Sequence, residues 1–553
     1  MATATGLGYV GHKQELPIGH DGMYGPRRVP VGGLILARGV TFENNQLEKE
    51  GGAQRQTLSS LPGPLVGLYD WWPEAATQRT VAITTGGGVY VDDGVSWTFA
   101  ITAAPEGTLA TTTQRPYFVA GGQETPGAPR KLFVYTGASP IFVGEGDFTT
   151  LRVLPSAKRP ADWVGARQPS CGIIHEGRHW AFLGHTAYYT PSADHEDFVG
   201  TGAGSIPIAP GEGEAIVAAV SFRKMLVLFK RPRGIYVVDT SGDPLVWRYD
   251  VQSRAVGAPG PWAVTPIPND VAFVGSEGAI HLLSATAVER DAESSDISTI
   301  KLGTWIREHI DPEALSRAIL AWYGDKRLAY ALFPGRGQAT QLVSAFQDDA
   351  FDLDTFQITD ASSTVGVPIY RLLIDFNNPS VGPRFAYSDR DDAQVLMMRR
   401  HQGIERPYIG TSAGSVYRLD HPDRVKDGEG FIGEFQTDHL DLGDLVAEWR
   451  GQAKNFDYLE FWLEGVGPYT LSVDIYIDGA KKTLTPLTFD LSGAGVPLGQ
   501  FRLDVDRLAE STIVTRRRRL MWRGRRISIR GWNSGANQTF KIIRAFIGAR
   551  AAE

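Results

Sequence analysis

The segment "HEGRH" (175–179) sets two histidines four residues apart with a glutamate beside the first. On a helix that spacing puts both imidazoles on one face, where they hold zinc while the glutamate activates its water. The flanks oppose a helix. "CGII" before it and "HWAFLG" after it are strand-like runs, and Gly177 falls where a tight turn needs positive φ. The longer zinc spacing fails too, because Phe182 stands at its glycine position. The segment therefore reads as a hairpin turn and not as a metal site.

Paired carboxylates recur in "EDF" (196–198), "DDAFDLD" (348–354) and "SDRDDAQ" (388–394). Two such groups suffice for glycoside hydrolysis, but acidic loops are usually solvated. "DDGVSW" (92–97) fits the Asp-box, Asp-x-Gly-x-x-Trp, a turn that decorates sialidase-type propellers, although Tyr90 replaces its usual Ser or Thr. There the aspartate orders the turn and the tryptophan packs between strands, so the motif speaks for architecture. No P-loop appears, and no Gly-x-Ser-x-Gly or Gly-x-Gly-x-x-Gly stretch stands between a strand and a helix, where an elbow or a dinucleotide fingerprint would need it. The expectation is a protein that is not an enzyme, with no catalytic residue, no cofactor and no metal.

"TRRRRLMWRGRRISIR" (515–530) carries eight arginines in a chain of net charge −7. It has three readings: the solvated outer face of a strand, with Ile527 and Ile529 inward and Arg526, Ser528 and Arg530 outward; a surface docking on an acidic neighbour; or a DNA contact. The absence of lysine favours docking over DNA, because planar guanidinium forks pair well with carboxylates. Arg516, Arg517, Arg518, Arg519, Arg523, Arg525 and Arg526 are the candidate subunit-docking residues.

The elements that must carry these residues are mostly strands. The 553 residues are 42% hydrophobic and 21% charged, the balance of a globular chain, and 63 glycines and 33 prolines punctuate short β-branched and aromatic runs. The single cysteine, Cys171, excludes an internal disulfide and fits a reducing cytoplasm. The N-terminus lacks a signal-peptide layout and no apolar run approaches membrane-spanning length, so no membrane anchor is expected. Helix signals are few: "TWIREHIDPEALSRAILAWYG" (304–324), with Asp311 as a cap, and "DLVAEWRGQ" (444–452).

"VAFVGSEGAIHLL" (271–283) has close relatives in "VAITTGGGVYV" (81–91) and "YIGTSAGSVYRL" (408–419). Candidate units fall near 65–100, 115–145, 172–192, 215–250, 263–285, 317–358 and 408–420, with a long gap before the last. A lone hairpin is marginal in water, and radial stacking buries its faces and protects its edges. The fold class is thus mainly β: a β-propeller, taken as six blades, followed by a C-terminal antiparallel β-sandwich. In "LSVDIYI", Leu471, Val473, Ile475 and Ile477 share one face, as a half-buried sheet requires. The expected divisions are an N-terminal arm (1–31), the propeller (32–425) and the sandwich (426–553).

Several segments, in order, resemble the propeller-type hub or nozzle proteins of bacteriophage tails. "GGLILARGVTFENNQLEKEGGAQR" (32–55) is similar to their opening, and "GLYDWWPEAATQRTVAITTGGGVYV" (67–91) to a first blade. "HEGRHWAFLGHTAYYTPSADHEDF" (175–198) resembles their recurring unit. Residues 221–283, with "GAPGPWA" at 257–263, resemble their most typical stretch. The resemblance covers about residues 32–420. It implies a virion protein assembled in the host bacterial cytoplasm. Its expected partners are further copies of itself in a ring (a homohexamer), the tail adaptor or portal complex, tail fibre or needle proteins, and double-stranded DNA passing without sequence-specific contacts. The alternative readings are a propeller glycosidase or depolymerase, or a receptor-binding protein, with the sandwich binding carbohydrate.

Overall fold

A computed structural model describes residues 12–16, 22–23, 33–43, 46–56, 59–74, 77–92, 96–102, 109, 115–122, 129–148, 150–192, 194–212, 214–284, 296–336, 369–377, 382–401, 403–442, 449–492 and 513–552. Tight turns bring neighbouring strands into antiparallel register before distant ones can meet, and the chain folds accordingly into successive meanders. The first is Leu65–Glu74, Thr77–Thr84, Val89–Asp92 and Trp97–Thr102. The second is Tyr117–Ala120, Lys131–Tyr135, Phe142–Glu145 and Thr150–Val153. Cys171–His175, Arg178–Leu183, Thr186–Tyr189 and Gly204–Pro207 make the third. Ala215–Phe222, Met225–Arg231, Ile235–Asp239 and Arg248–Ser253 make the fourth.

Among the described residues the fifth meander has three strands, Val264–Ile267, Asp270–Val274 and Ile280–Leu282. The sixth is Ile319–Tyr323, Leu328–Pro334, Ile369–Asp375 and Arg384–Ser388. Ala393–His401, Ile404–Thr411 and Val416–His421 begin the seventh, and Gly52–Arg55, from far upstream, pairs with Val416–His421 to complete it. The first strand of each meander packs on the first strand of the next, and that of the seventh meets that of the first. This is a closed propeller, its apolar cores lying between adjacent sheets.

The ring has seven blades, not six. Each of the seven hairpin units became a blade. The gap before Tyr408 had concealed Ile369–Asp375, Arg384–Ser388 and Ala393–His401, while 337–368 lies outside the described residues. The helix expected over 304–324 also divides: Thr299–His309 is helical, but Ile319–Tyr323 is the inner strand of the sixth blade. Asp311 caps only a local turn, accepting the Glu313 N–H at 3.0 Å. The other expected helix falls largely on 443–448, outside the described residues.

The "GAPGPWA" stretch shows why glycine is needed there. A Cβ on Gly260 would lie 2.4 Å from the Ser316 carbonyl oxygen, and one on Gly257 would lie 2.1 Å from that of Lys230. Both glycines admit a neighbouring backbone, whatever their φ. Gly260→Ala is expected to destabilise the chain by about 2 kcal/mol, because the obstructing atoms are main chain; a denaturant titration checks this, and an unchanged midpoint would contradict it.

The C-terminal region is the two-sheet sandwich that its alternation implies. One sheet runs Val40–Thr41, Leu47–Lys49, Lys541–Ala551, Lys454–Glu464, Ile513–Gly524, with His12–Leu16 also beside Lys541–Ala551. The other contains Gly33–Arg38, Gly433–Thr437, Ile527–Asn533, Thr470–Ile477, Ala480–Lys481 and Leu487–Asp490. Leu459, Phe461 and Leu463 face Leu471, Val473, Ile475 and Ile529 across an apolar interior. The sandwich therefore does not begin at 426. The described residues of the expected arm, His12–Leu16 and Gly22–Met23, pair into it, and so does the start of the expected propeller span.

The two bodies share one sheet, since Tyr387 of the sixth blade pairs with Arg38 of the sandwich. Between the sandwich strand Leu47–Lys49 and the propeller strand Gly52–Arg55 lies Glu50, which meets the buried Arg371; Arg371 also donates to Asp391, at 2.7 Å. Burial alone would raise the Asp391 carboxyl, but Arg390, Arg371 and Lys426 hold it at about 2. Lys49, itself fully buried, donates to Asn533 Oδ1 at 3.2 Å and to the Gly535 carbonyl at 3.0 Å. The joint is a welded one.

Candidate functional site

Each motif with chemical potential can now be placed. "HEGRH" is a hairpin whose turn residues Glu176 and Gly177 have φ of 47° and 70°. Its histidines consequently leave the sheet on opposite faces. His175 engages Ser221 and Thr240 of the fourth blade, each at 2.8 Å. His179 points to the second blade, with its Nε2 2.5 Å from Tyr135 Oη and its Nδ1 2.7 Å from the His195 carbonyl. Burial pushes the His179 imidazole down to about 3, so it stays neutral. Two side chains aimed at different blades cannot share an ion; they pin the third blade to both neighbours.

The acidic clusters are equally committed. Glu196 accepts two hydrogen bonds from Arg152, at 2.8 and 2.6 Å, and pairs with Lys131 at 2.7 Å, tying the loop after the third blade's third strand to the second blade. Asp197 accepts the N–H groups of Val199 and Gly200. In the third cluster Asp391 is part of the joint and Asp392 caps Ser412. The cluster 348–354 lies outside the described residues, as does the Asp-box turn 93–95. Asp92 and Trp97 flank that turn as a paired hairpin end, and Asp92 accepts from Gln56 and lies 3.6 Å from Arg399.

Glu196 makes one acid-sensitive contact measurable. Burial disfavours its charge, yet Arg152 and Lys131 more than offset this and hold it at about 2 against an ordinary 4.5. The unfolded state therefore takes up the proton first, and the stabilisation present above about 4.5 is lost as pH falls toward 2. Glu196→Gln is expected to lower stability at pH 7 and to flatten the acid limb in that window. Urea midpoints across pH test this, and parallel pH profiles for the two proteins would contradict it.

The arginine stretch forms the edge strand Ile513–Gly524 of the first sandwich sheet and the turn after it. Its alternation divides the candidate residues. Arg516 and Arg518 share a face with buried Val514 and Leu520 and reach across to the opposite sheet. There Arg516 donates to the carbonyls of Asp490 and Ser492 at 3.0 and 2.9 Å, and Arg518 to that of Thr488 at 2.9 Å. These two fasten the open side of the sandwich. Arg517, Arg519 and Arg523 lie on the outer face, around Met521, which is 79% exposed. Arg517 pairs with Glu460 at 2.9 Å and lies 3.8 Å over the Tyr458 ring.

Neighbouring strands extend that outer face with residues outside the candidate set: Tyr458, Glu460 and Trp462 from one, Arg544 and Phe546 from the other. Arg544 lies over Trp462, whose ring is 5.1 Å from Phe546. The signal was present in "DYLEFWLEG" and "KIIRAFIGA", where inner Leu459, Phe461, Ala545 and Ile547 alternate with these residues. Arg525 and Arg526 occupy the turn beyond the strand and line a cavity of about 640 Å³ with His439, Asp441 and Asp478. Asp478 spends its carboxylate on the N–H groups of Arg525 and Arg526, at 2.9 and 2.8 Å. The result is a rigid, guanidinium-rich, aromatic-backed surface.

No family model matches the chain, and no curated protein does. Among solved structures, the computationally designed Ika8 protein is similar at a TM-score of 0.35 and 10% identity, over 66% of this chain and 99% of that one. An exo-β-1,3-galactanase from Phanerochaete chrysosporium, with galactose, is similar at a TM-score of 0.25 and 8% identity, over 95% of this chain and 99% of that one. At these scores the architecture rests on the strand pairing described above.

Proposed function

We propose that this chain is a structural subunit of a bacteriophage tail, a nozzle or hub protein whose copies form a ring around the DNA exit path. In this reading it docks to the tail adaptor above and carries fibres or a needle. The observation that supports it is the ordered pattern over 32–420, whose segments each serve stiffness in this fold. The opening segment closes the seventh blade and enters the joint. The recurring unit at 175–198 pins three blades together. The "GAPGPWA" stretch packs backbone on backbone. A conduit must hold its shape under load without gripping the duplex, and a net charge of −7 offers few phosphate contacts overall.

Within this reading the docking surface is the outer arginine face. Arg517, Arg519 and Arg523, with Arg525 and Arg526 at the turn, meet an acidic surface of a neighbouring subunit, while Arg516 and Arg518 hold the sandwich together. The chain should then be present in purified virions at a fixed copy number matching a ring. Quantitative mass spectrometry of purified particles tests this, and its absence from the particle would end the proposal.

A further inference from the structure

Among the described residues Arg115 is a buried cation with no counter-ion. Arg115 is only 8% exposed, and its described polar contact is a hydrogen bond from Nη1 to the Arg317 carbonyl. Among the described residues it forms no ion pair, and Arg317 brings a second positive charge near it. Burial, and then Arg317, push its guanidinium down to about 9. Burying a charge without a partner is costly, so such groups are normally neutralised by something.

The position is the centre of the propeller. Arg115 leads into the first strand of the second blade, Trp262 into that of the fifth and Arg317 into that of the sixth. In a ring of seven these blades stand on opposite sides, so the bond from Arg115 to Arg317 crosses the middle. The bond from Trp262 Nε1 to the Pro116 carbonyl, at 3.1 Å, crosses it as well. The indole of Trp262 packs against Tyr117 at a tilt of 57°, with centroids 4.8 Å apart. A planar guanidinium fork in this setting suits the oxygens of phosphate or carboxylate.

We propose that a small free oxyanion binds at the propeller axis on the Arg115 guanidinium, with Arg317 beside it. This site is independent of the assembly reading and of the outer arginine face. Thermal melts and Trp fluorescence titrations of the full chain, in phosphate, acetate and chloride at equal ionic strength, test it. Phosphate is expected to raise Tm saturably by about 2 °C beyond chloride and to change Trp emission. A larger effect of acetate would identify the oxyanion as a carboxylate. Arg115→Met is expected to be more stable than the native chain in chloride and to lose the phosphate response. Arg115→Lys, which keeps the charge without the fork, should bind about 10-fold more weakly and serves should the methionine variant not fold. Equal stabilisation by all three anions overturns the proposal, as does an undiminished response in either variant.

Discussion

Arg371→Met is expected to destabilise propeller and sandwich together, by about 3–5 kcal/mol, because it takes from two buried carboxylates the cation that bonds both and leaves them only the longer contacts to Arg390 and Lys426. Arg371 is 1% exposed, Glu50 8% and Asp391 0% at the side chain. Glu50 lies on the two-residue link between a sandwich strand and the strand that closes the seventh blade, so its loss of a partner is felt on both sides. Denaturation followed by far-UV circular dichroism and by Trp fluorescence should show one shared transition at lower denaturant. Removing all three charges at once, as Glu50→Gln, Arg371→Met and Asp391→Asn, should recover much of the loss. Two separate transitions, or a cost under about 1 kcal/mol, would show that the joint is not welded through this cluster.

The second large effect concerns assembly. Arg519→Glu and Arg523→Glu together are expected to leave Tm within a few degrees of the native value while weakening self-association at least about 10-fold, since rim charges set recognition more than folding. Arg516→Ala with Arg518→Ala should do the reverse. These arginines donate to three main-chain carbonyls of the facing sheet, and charge-assisted bonds of that kind contribute about 1.5–3 kcal/mol each. Sedimentation velocity and thermal melts on both variants separate the roles. Equal loss of Tm in both would mean that the outer arginines are structural as well.

Much of this fold is legible in the chain because its instructions are local. The turn at Gly177 and the alternation in "LSVDIYI" each act within a few residues, and both take the form their composition dictates. What sequence alone conceals is long-range pairing. Nothing near Gly52–Arg55 announces that it will join Val416–His421, and nothing near His12–Leu16 announces Lys541–Ala551. The helix pattern over 304–324 fails at Ile319–Tyr323 because a place in the inner ring outweighs local propensity. The arginine stretch was visible as charge, but its division into fasteners and surface needed the register against Lys454–Glu464. Arg115 gave no sequence signal, since its isolation depends on blades that meet only across the ring.

Mechanical service in a ring is the claim on which the functional account stands, and the mass of the purified chain in solution tests it most directly. Mass photometry over a concentration series, with and without tail adaptor proteins, should reveal closed rings of a single copy number that dissolve in the Arg519 and Arg523 variant. A chain that stays monomeric at every concentration and in the presence of such adaptors would contradict it.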